Sequence, residues 1–233
     1  MKNFLGLIVA ILLMASTTLA ETEDAKKQDG RLQNAGQVMS EVLKMPDSIP
    51  QYVLDRTKCV VVIPSVLKAA FIVGGSYGRG AMVCRSGNDF TGPWGAPSMM
   101  TLEGGSFGLQ LGADATDFVL LVMNERGATS LLRSKVKLGA DITAAAGPIG
   151  RAAEADTDAY MRAEILTYSR ARGLFAGVSL EGTTLRPDHD ANEALYGRRM
   201  SARDIVLGPG PATPAAGKQL VGLLDNASPH PVS

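Results

Sequence analysis

A surplus of either charge is missing from this chain: 23 Lys and Arg face 23 Asp and Glu across 233 residues. Without a basic excess there is no broad electrostatic footprint for nucleic acid, so no nucleic-acid partner is expected. Histidine is nearly absent, confined to His189 in RPDHDAN and His230 close to the last residue. That scarcity removes the commonest general base and the commonest metal ligand, so no catalytic triad, metal centre or cofactor is expected. Long apolar runs are missing after the first residues, which leaves no later candidate for a membrane-spanning helix of about 20 residues. Aromatic residues make up only 5%, whereas glycine occurs 26 times, a balance that points to tight strands and turns.

What is present begins with MKNFLGLIVAILLMASTTLA, where Lys2 precedes an apolar run from Phe4 to Met14 and small residues end at Ala20. This is the pattern of a cleaved secretory signal peptide over residues 1–20, and it implies an exported protein, periplasmic or associated with the envelope. A polar segment over 21–28 follows. The two cysteines, Cys59 and Cys84, both lie beyond the signal. An even count in an exported chain makes a disulfide between them the leading reading over two buried thiols.

Between Asp29 and Met45 the apolar residues Leu32, Ala35, Val38, Met39, Val42 and Leu43 recur at helical spacing. The spacing predicts an amphipathic helix closed by Pro46, and a short second helix over Ile49–Arg56. The period then changes. CVVVIP at 59–64 reads as a buried strand, with further strands expected over 77–85, 99–111, 118–124, 136–144, 164–169 and 174–185. Helical turns are expected at 128–132 and a longer helix over 150–163. After Leu207 the run GPGPATPAAG marks a Pro/Gly linker, followed by the short apolar helix KQLVGLLDNA and a polar tail. A single domain over 29–207 is therefore expected, with residues 208–233 packing loosely or not at all.

Two five-residue stretches, GGSYG at 74–78 and GGSFG at 104–108, fit the G-x-S-x-G pattern of hydrolase nucleophiles. A nucleophile elbow needs a helix directly after its serine. Ser76 is followed by YGRGAMVCR and Ser106 by FGLQLG, both strand-like, and neither histidine is a convincing base. A serine hydrolase is thus a poor third reading. Glu103, the one acid in a strongly strand-like apolar stretch, has no evident partner that would mark a glycosidase pair. Glycines inside strands are expected instead to let a neighbouring strand or ring approach.

Four blocks together carry a family likeness: VVIPSVLKAAFIVGGSYGRG (61–80), GPWGAPSMMTLEGGSFGLQLGADATDFVLLVMN (92–124), KLGADITAAAGPIGR (137–151) and YSRARGLFAGVSLEG (168–182). Over residues 30–207 the chain resembles the SYLF domain family. The resemblance implies a non-enzymatic protein that binds phospholipid headgroups or a membrane surface, while some eukaryotic members also bind actin filaments. Actin has no evident place for an exported chain, so lipid is the expectation carried forward. An envelope protein-interaction module without lipid is the alternative, its protein partner unspecified.

The helix over 29–45 carries Gln33, Asn34, Gln37 and Glu41 on its polar face with only Lys44 as a cation, so it is expected to pack on the core rather than lie in a membrane. Headgroup contacts fall instead to other cations. Arg133, Lys135 and Lys137 alternate and would share one side of a strand, as would Arg170 and Arg172, while Arg151 follows GPIG at an expected helix start. The expected fold is α+β: a curved, mostly antiparallel β-sheet or partial barrel of about six to eight strands, with the N-terminal amphipathic helix and short helices packed on it.

Overall fold

The computed structural model describes residues 2–70, 73–107, 115–150, 160, 162–171, 174–208 and 210–229. Among them nine strands form one strongly curled, mostly antiparallel sheet: β1 (Cys59–Ala70), β2 (Val73–Cys84), β3 (Ser98–Phe107), β4 (Ala115–Val122), β5 (Val136–Lys137), β6 (Ala144–Ala146), β7 (Ile165–Ala171), β8 (Leu174–Gly177) and β9 (Thr184–Pro187). Their order is β5-β9-β3-β2-β1-β4-β7-β6, with β8 also pairing β7 and only the β6–β7 pair parallel. Among the described residues six α-helices with given bounds accompany it: α1 (Lys2–Leu43), α2 (Gln51–Arg56), α3 (Glu125–Arg133), α4 (His189–Tyr196), α5 (Ala202–Val206) and α6 (Lys218–Ala227). The expected α+β fold with a curled antiparallel sheet is what the chain adopts.

The continuous apolar run of β1 is explained by its central place, where both faces are covered. Val60 and Val62 join Ala81, Val83, Val119 and Leu121 beneath α1, α2 and α6. Cys59, Val61 and Ile63 join Met82, Cys84 and Leu120 beneath α3 and α5. A half-solvated strand would alternate; one between two cores has no polar side to offer. Cys59 and Cys84 are register partners on β1 and β2 and are joined as a disulfide with an S–S distance of 2.05 Å.

The predicted 29–45 helix is the C-terminal part of α1. Leu32, Ala35, Val38, Met39 and Val42 are buried against the sheet, leaving Gln33, Asn34 and Gln37 exposed. Among the described residues no helix is long and apolar enough to cross a membrane. The predicted turns at 128–132 extend to the whole of α3, because the Asn124 side chain caps its N-terminus by accepting from the Gly127 N–H at 2.9 Å. The predicted 150–163 helix falls mostly on residues outside those described.

Three expectations require correction. The strand expected over 136–144 is two short ones, β5 and β6, separated by a turn at Gly139 with φ 83°. The strand expected over 174–185 likewise divides into β8 and β9, with Gly182 at φ 82°. A left-handed glycine ends extended pairing where alternation alone reads as continuous strand. The C-terminal segment is not loose: Leu220 and Leu224 of α6 are buried against α1. Ser228 is pinned beyond it, accepting from the Trp94 Nε1–H at 3.0 Å and from Arg85 Nη2 at 2.9 Å through its carbonyl. Leu220 and Leu224, four apart on one helix face, have apolar surface that only docking removes from water.

Candidate functional site

The two G-x-S-x-G stretches face each other across neighbouring strands. Gly74 pairs with Ser106, Gly75 with Gly105 and Ser76 with Gly104. Ser76 Oγ donates to the Gly104 carbonyl at 3.3 Å, and β2 runs on as strand to Cys84. Ser106 lies within β3, whose described residues end at Phe107. His189 is exposed at the start of α4, and His230 lies outside the described residues. Within the RPDHDAN run Asp188 takes a buried capping position. Its carboxylate accepts from the Ala191 N–H at 3.2 Å and from Thr101 Oγ1 at 3.0 Å, fastening α4 to β3. Among the described residues no group of His, Cys, Asp and Glu is arranged to hold a metal ion.

The cations singled out from sequence that fall among the described residues, Arg133, Lys135, Lys137 and Arg170, stand on different elements. Arg133 ends α3, Lys135 lies in the connection after it, and only Lys137 is on a strand, so the expected shared strand face does not form. The helix runs through Arg133 because Leu131 and Leu132 are needed in the core beneath it. Lys135 and Lys137 border an open depression with Glu103 and Asp141, where the charges are mixed. Arg170 is committed elsewhere. It bonds Asp117 through Nε at 2.9 Å and Nη2 at 2.6 Å and pairs with Glu41, tying β7 to β4 and α1. Burial pushes the Arg170 guanidinium down. Arg151 and Arg172 lie outside the described residues. Glu103 is also partnered, by Arg186 through Nη2 at 2.8 Å and Nε at 3.2 Å.

The structure brings together a different set at the rim of the curl. A bulge interrupts β1 between Val62 and Leu67, with Ser65 at φ 50°, and the register resumes with Leu67 directly opposite Tyr77. Both side chains are left in solvent, Leu67 at 59% and Tyr77 at 43% exposure; Leu174 on β8, at 76%, is the other large apolar residue so exposed among the described residues. Beside this pair is a recess of 240 Å³ between α1 and the β1–β2 arm, lined by Arg31, Asn34, Pro64, Leu67, Tyr77 and Arg79.

Two guanidiniums converge there from different elements. Arg79 follows Tyr77 by two positions on β2, so both project from one face; its Nε bonds the Tyr77 hydroxyl and stands 3.4 Å from Asp188 Oδ2. The Arg79 guanidinium carbon lies 5.6 Å from the Tyr77 ring centroid. Arg31 on α1 bonds Gln28 Oε1 through Nη1 at 2.5 Å. Its pKa is pushed down by burial and by the charge of Arg79, against the pull of Asp188. Sequence alternation links Tyr77 to Arg79, but only the docking of α1 brings in Arg31.

Fold and recess define the class: an α+β curled-sheet module with its candidate site on the sheet's rim. The family follows from comparison with known proteins. The chain belongs to the Ysc84 (SYLF) family, whose model, described as Las17-binding protein actin regulator, matches residues 103–227. It is 37% identical over 189 residues to the SH3 domain-containing protein PJ696.02 of Schizosaccharomyces pombe, covering 80% of this chain and 43% of that protein. Protein YSC84 of Saccharomyces cerevisiae is 37% identical over 171 residues, 72% of this chain and 36% of its own. The human SH3 domain-containing YSC84-like protein 1 is 34% identical over 183 residues, 78% and 52% respectively. The chain thus spans about half, or less, of the length of these relatives.

Proposed function

We propose that this protein is an exported, non-enzymatic phospholipid-binding protein of the bacterial cell envelope. The observation that carries the reading is the exposed cross-strand pair Leu67 and Tyr77 standing beside the Arg31–Arg79 recess. An apolar edge next to cations matches the membrane interface, where acyl chains take the former and phosphates the latter. Burying one leucine side chain there is worth about 1.5–3 kcal/mol. The signal-like residues 1–20 support the place of action, and the even cysteine pair agrees with an oxidising compartment.

Flotation with anionic and with neutral vesicles tests this. Wild-type protein is expected to float with anionic vesicles, and Leu67→Ser combined with Tyr77→Ser to lose most of that retention while keeping its circular dichroism. Folded wild-type protein that floats with neither vesicle overturns the reading. That result favours the second one, an envelope protein-interaction module, which draws support from a family description that names a protein partner.

A further inference from the structure

We propose that the outer edge of β3, beyond the end of β9, receives an extended acidic segment of a partner protein, which joins the sheet as a further strand. This surface is separate from the rim recess and does not depend on the phospholipid reading. β9 pairs β3 only at positions 100–103, because the left-handed turn at Gly182 takes the chain away and residues 182 and 183 bond Leu138 instead. Positions 104–107 of β3 still pair β2, but among the described residues no strand lies on their other side. The Met99 carbonyl accepts from the Asp188 N–H on the β9 side at 2.9 Å, so by alternation Gly105 and Phe107 turn their N–H and C=O groups outward. Proteins blunt such edges with charge or proline; this one carries glycine at 104 and 105, where no side chain screens the backbone.

Charge selects the occupant. The edge borders a depression of 650 Å³ whose lining includes Glu103, Gly104, Lys135, Lys137 and Asp141. Both carboxylates there are engaged: Glu103 accepts two bonds from Arg186, and Asp141 Oδ2 accepts from the Lys137 N–H at 2.7 Å. Lys135 and Lys137 are exposed, and among the described residues their ammonium groups have no ion pair. Lys137, Thr184 and Glu103 are successive register partners from β5 to β3, which sets Lys137 on the Glu103 face. Every second side chain of an added strand faces that side, so carboxylates two positions apart would meet the lysines. Main-chain bonds then supply affinity and the alternate acids supply specificity. A second copy of this chain would bring two more lysines to the same edge, which their repulsion disfavours.

The test titrates the protein into a fluorescent peptide of alternating threonine and glutamate and reads anisotropy. Its controls are the same peptide with N-methylated backbone amides and a peptide of alternating threonine and lysine. The acidic peptide is expected to bind, and both controls to fail. Lys135→Gln combined with Lys137→Gln is expected to weaken the acidic peptide about tenfold and to leave vesicle flotation as in wild type. Gly105→Pro, which removes an outward N–H and no bond to β2, is expected to lose most of the binding. Should that variant fail to fold, the lysine variant and the N-methylated peptide decide. Folded wild-type protein that binds no peptide, or binds the N-methylated one equally well, overturns strand addition, and equal binding of the basic peptide overturns the acidic partner. Flotation lost in the lysine variant, with no peptide bound, assigns the depression to a membrane and overturns the proposal. A concentration-dependent dimer that Gly105→Pro abolishes, again with no peptide bound, gives the edge to a second copy and overturns it equally.

Discussion

Gly80 sits where a Cβ would come within 1.9 Å of the Val62 carbonyl oxygen, against the strand that bulges past it. A backbone atom cannot rotate away as a side chain can. Gly80→Ala is therefore expected to cost about 3 kcal/mol, roughly 10 °C in Tm. Among the described residues Gly75, in the first G-x-S-x-G stretch, would place its Cβ no closer than 3.8 Å to a neighbour, the Gly104 carbonyl, so Gly75→Ala should change Tm little. Thermal unfolding of the two variants checks the contrast; equal losses would refute the steric account. The sequence shows that strand glycines admit neighbours, but not which glycine meets a carbonyl and which meets open space. The ion pairs were hidden for a related reason. Arg186 with Glu103 and Arg170 with Asp117 join residues far apart in the chain, and no local spacing signals them.

Elements were legible where one physical signal governed them. The apolar spacing of Leu32 to Val42 gave the buried face of α1, and the unbroken CVVVIP run gave a strand covered on both faces. Where a left-handed glycine cut across alternation, as at Gly139 and Gly182, strand length was overread. Composition misled at the end of the chain, because a Pro/Gly linker says nothing about whether the helix beyond it docks. Arg85 gives that docking its weight: its guanidinium is fully buried, 4.4 Å from the Trp94 ring centroid, with Nη2 held by Ser228. A chain ending at Gly210 would expose the Leu220 and Leu224 contacts and leave this buried cation short of acceptors. It is expected to lose more than about 3 kcal/mol, read as a lower urea midpoint. An unchanged midpoint would show that α6 contributes nothing to the folded body.

For the molecule as a whole, the α+β class and curled antiparallel sheet could be anticipated, whereas the rim site could not, since α1 supplies half of it from outside the sheet. Alkaline pH offers a global probe of the packed interior. Tyr168 is fully buried, donating to the Pro148 carbonyl at 3.2 Å, and Tyr196 donates to the Pro97 carbonyl at 2.6 Å. Burial pushes both phenols well above their ordinary value. In the unfolded chain they ionise near pH 10. Their contribution is thus fully present below about pH 10. As pH rises further the unfolded state releases protons that the native state retains, and stability falls by about 1.4 kcal/mol per pH unit for each. Tyr168→Phe, which keeps the ring stacked at 5.2 Å on Phe175, should show a shallower decline of Tm above pH 10 than wild type. Parallel declines would remove Tyr168 from the account.

The order of strands carries a consequence for how the chain reaches this state. One flank is completed only when residues 184–187 return to pair with residues 100–103, and β5 then depends on β9 for its own partner. During synthesis β3 therefore waits with an unpaired edge while almost the whole chain emerges, and pairings of such long sequence separation close slowly. A chain kept from collapsing until residues 184–187 have been made would avoid exposing that edge to its neighbours.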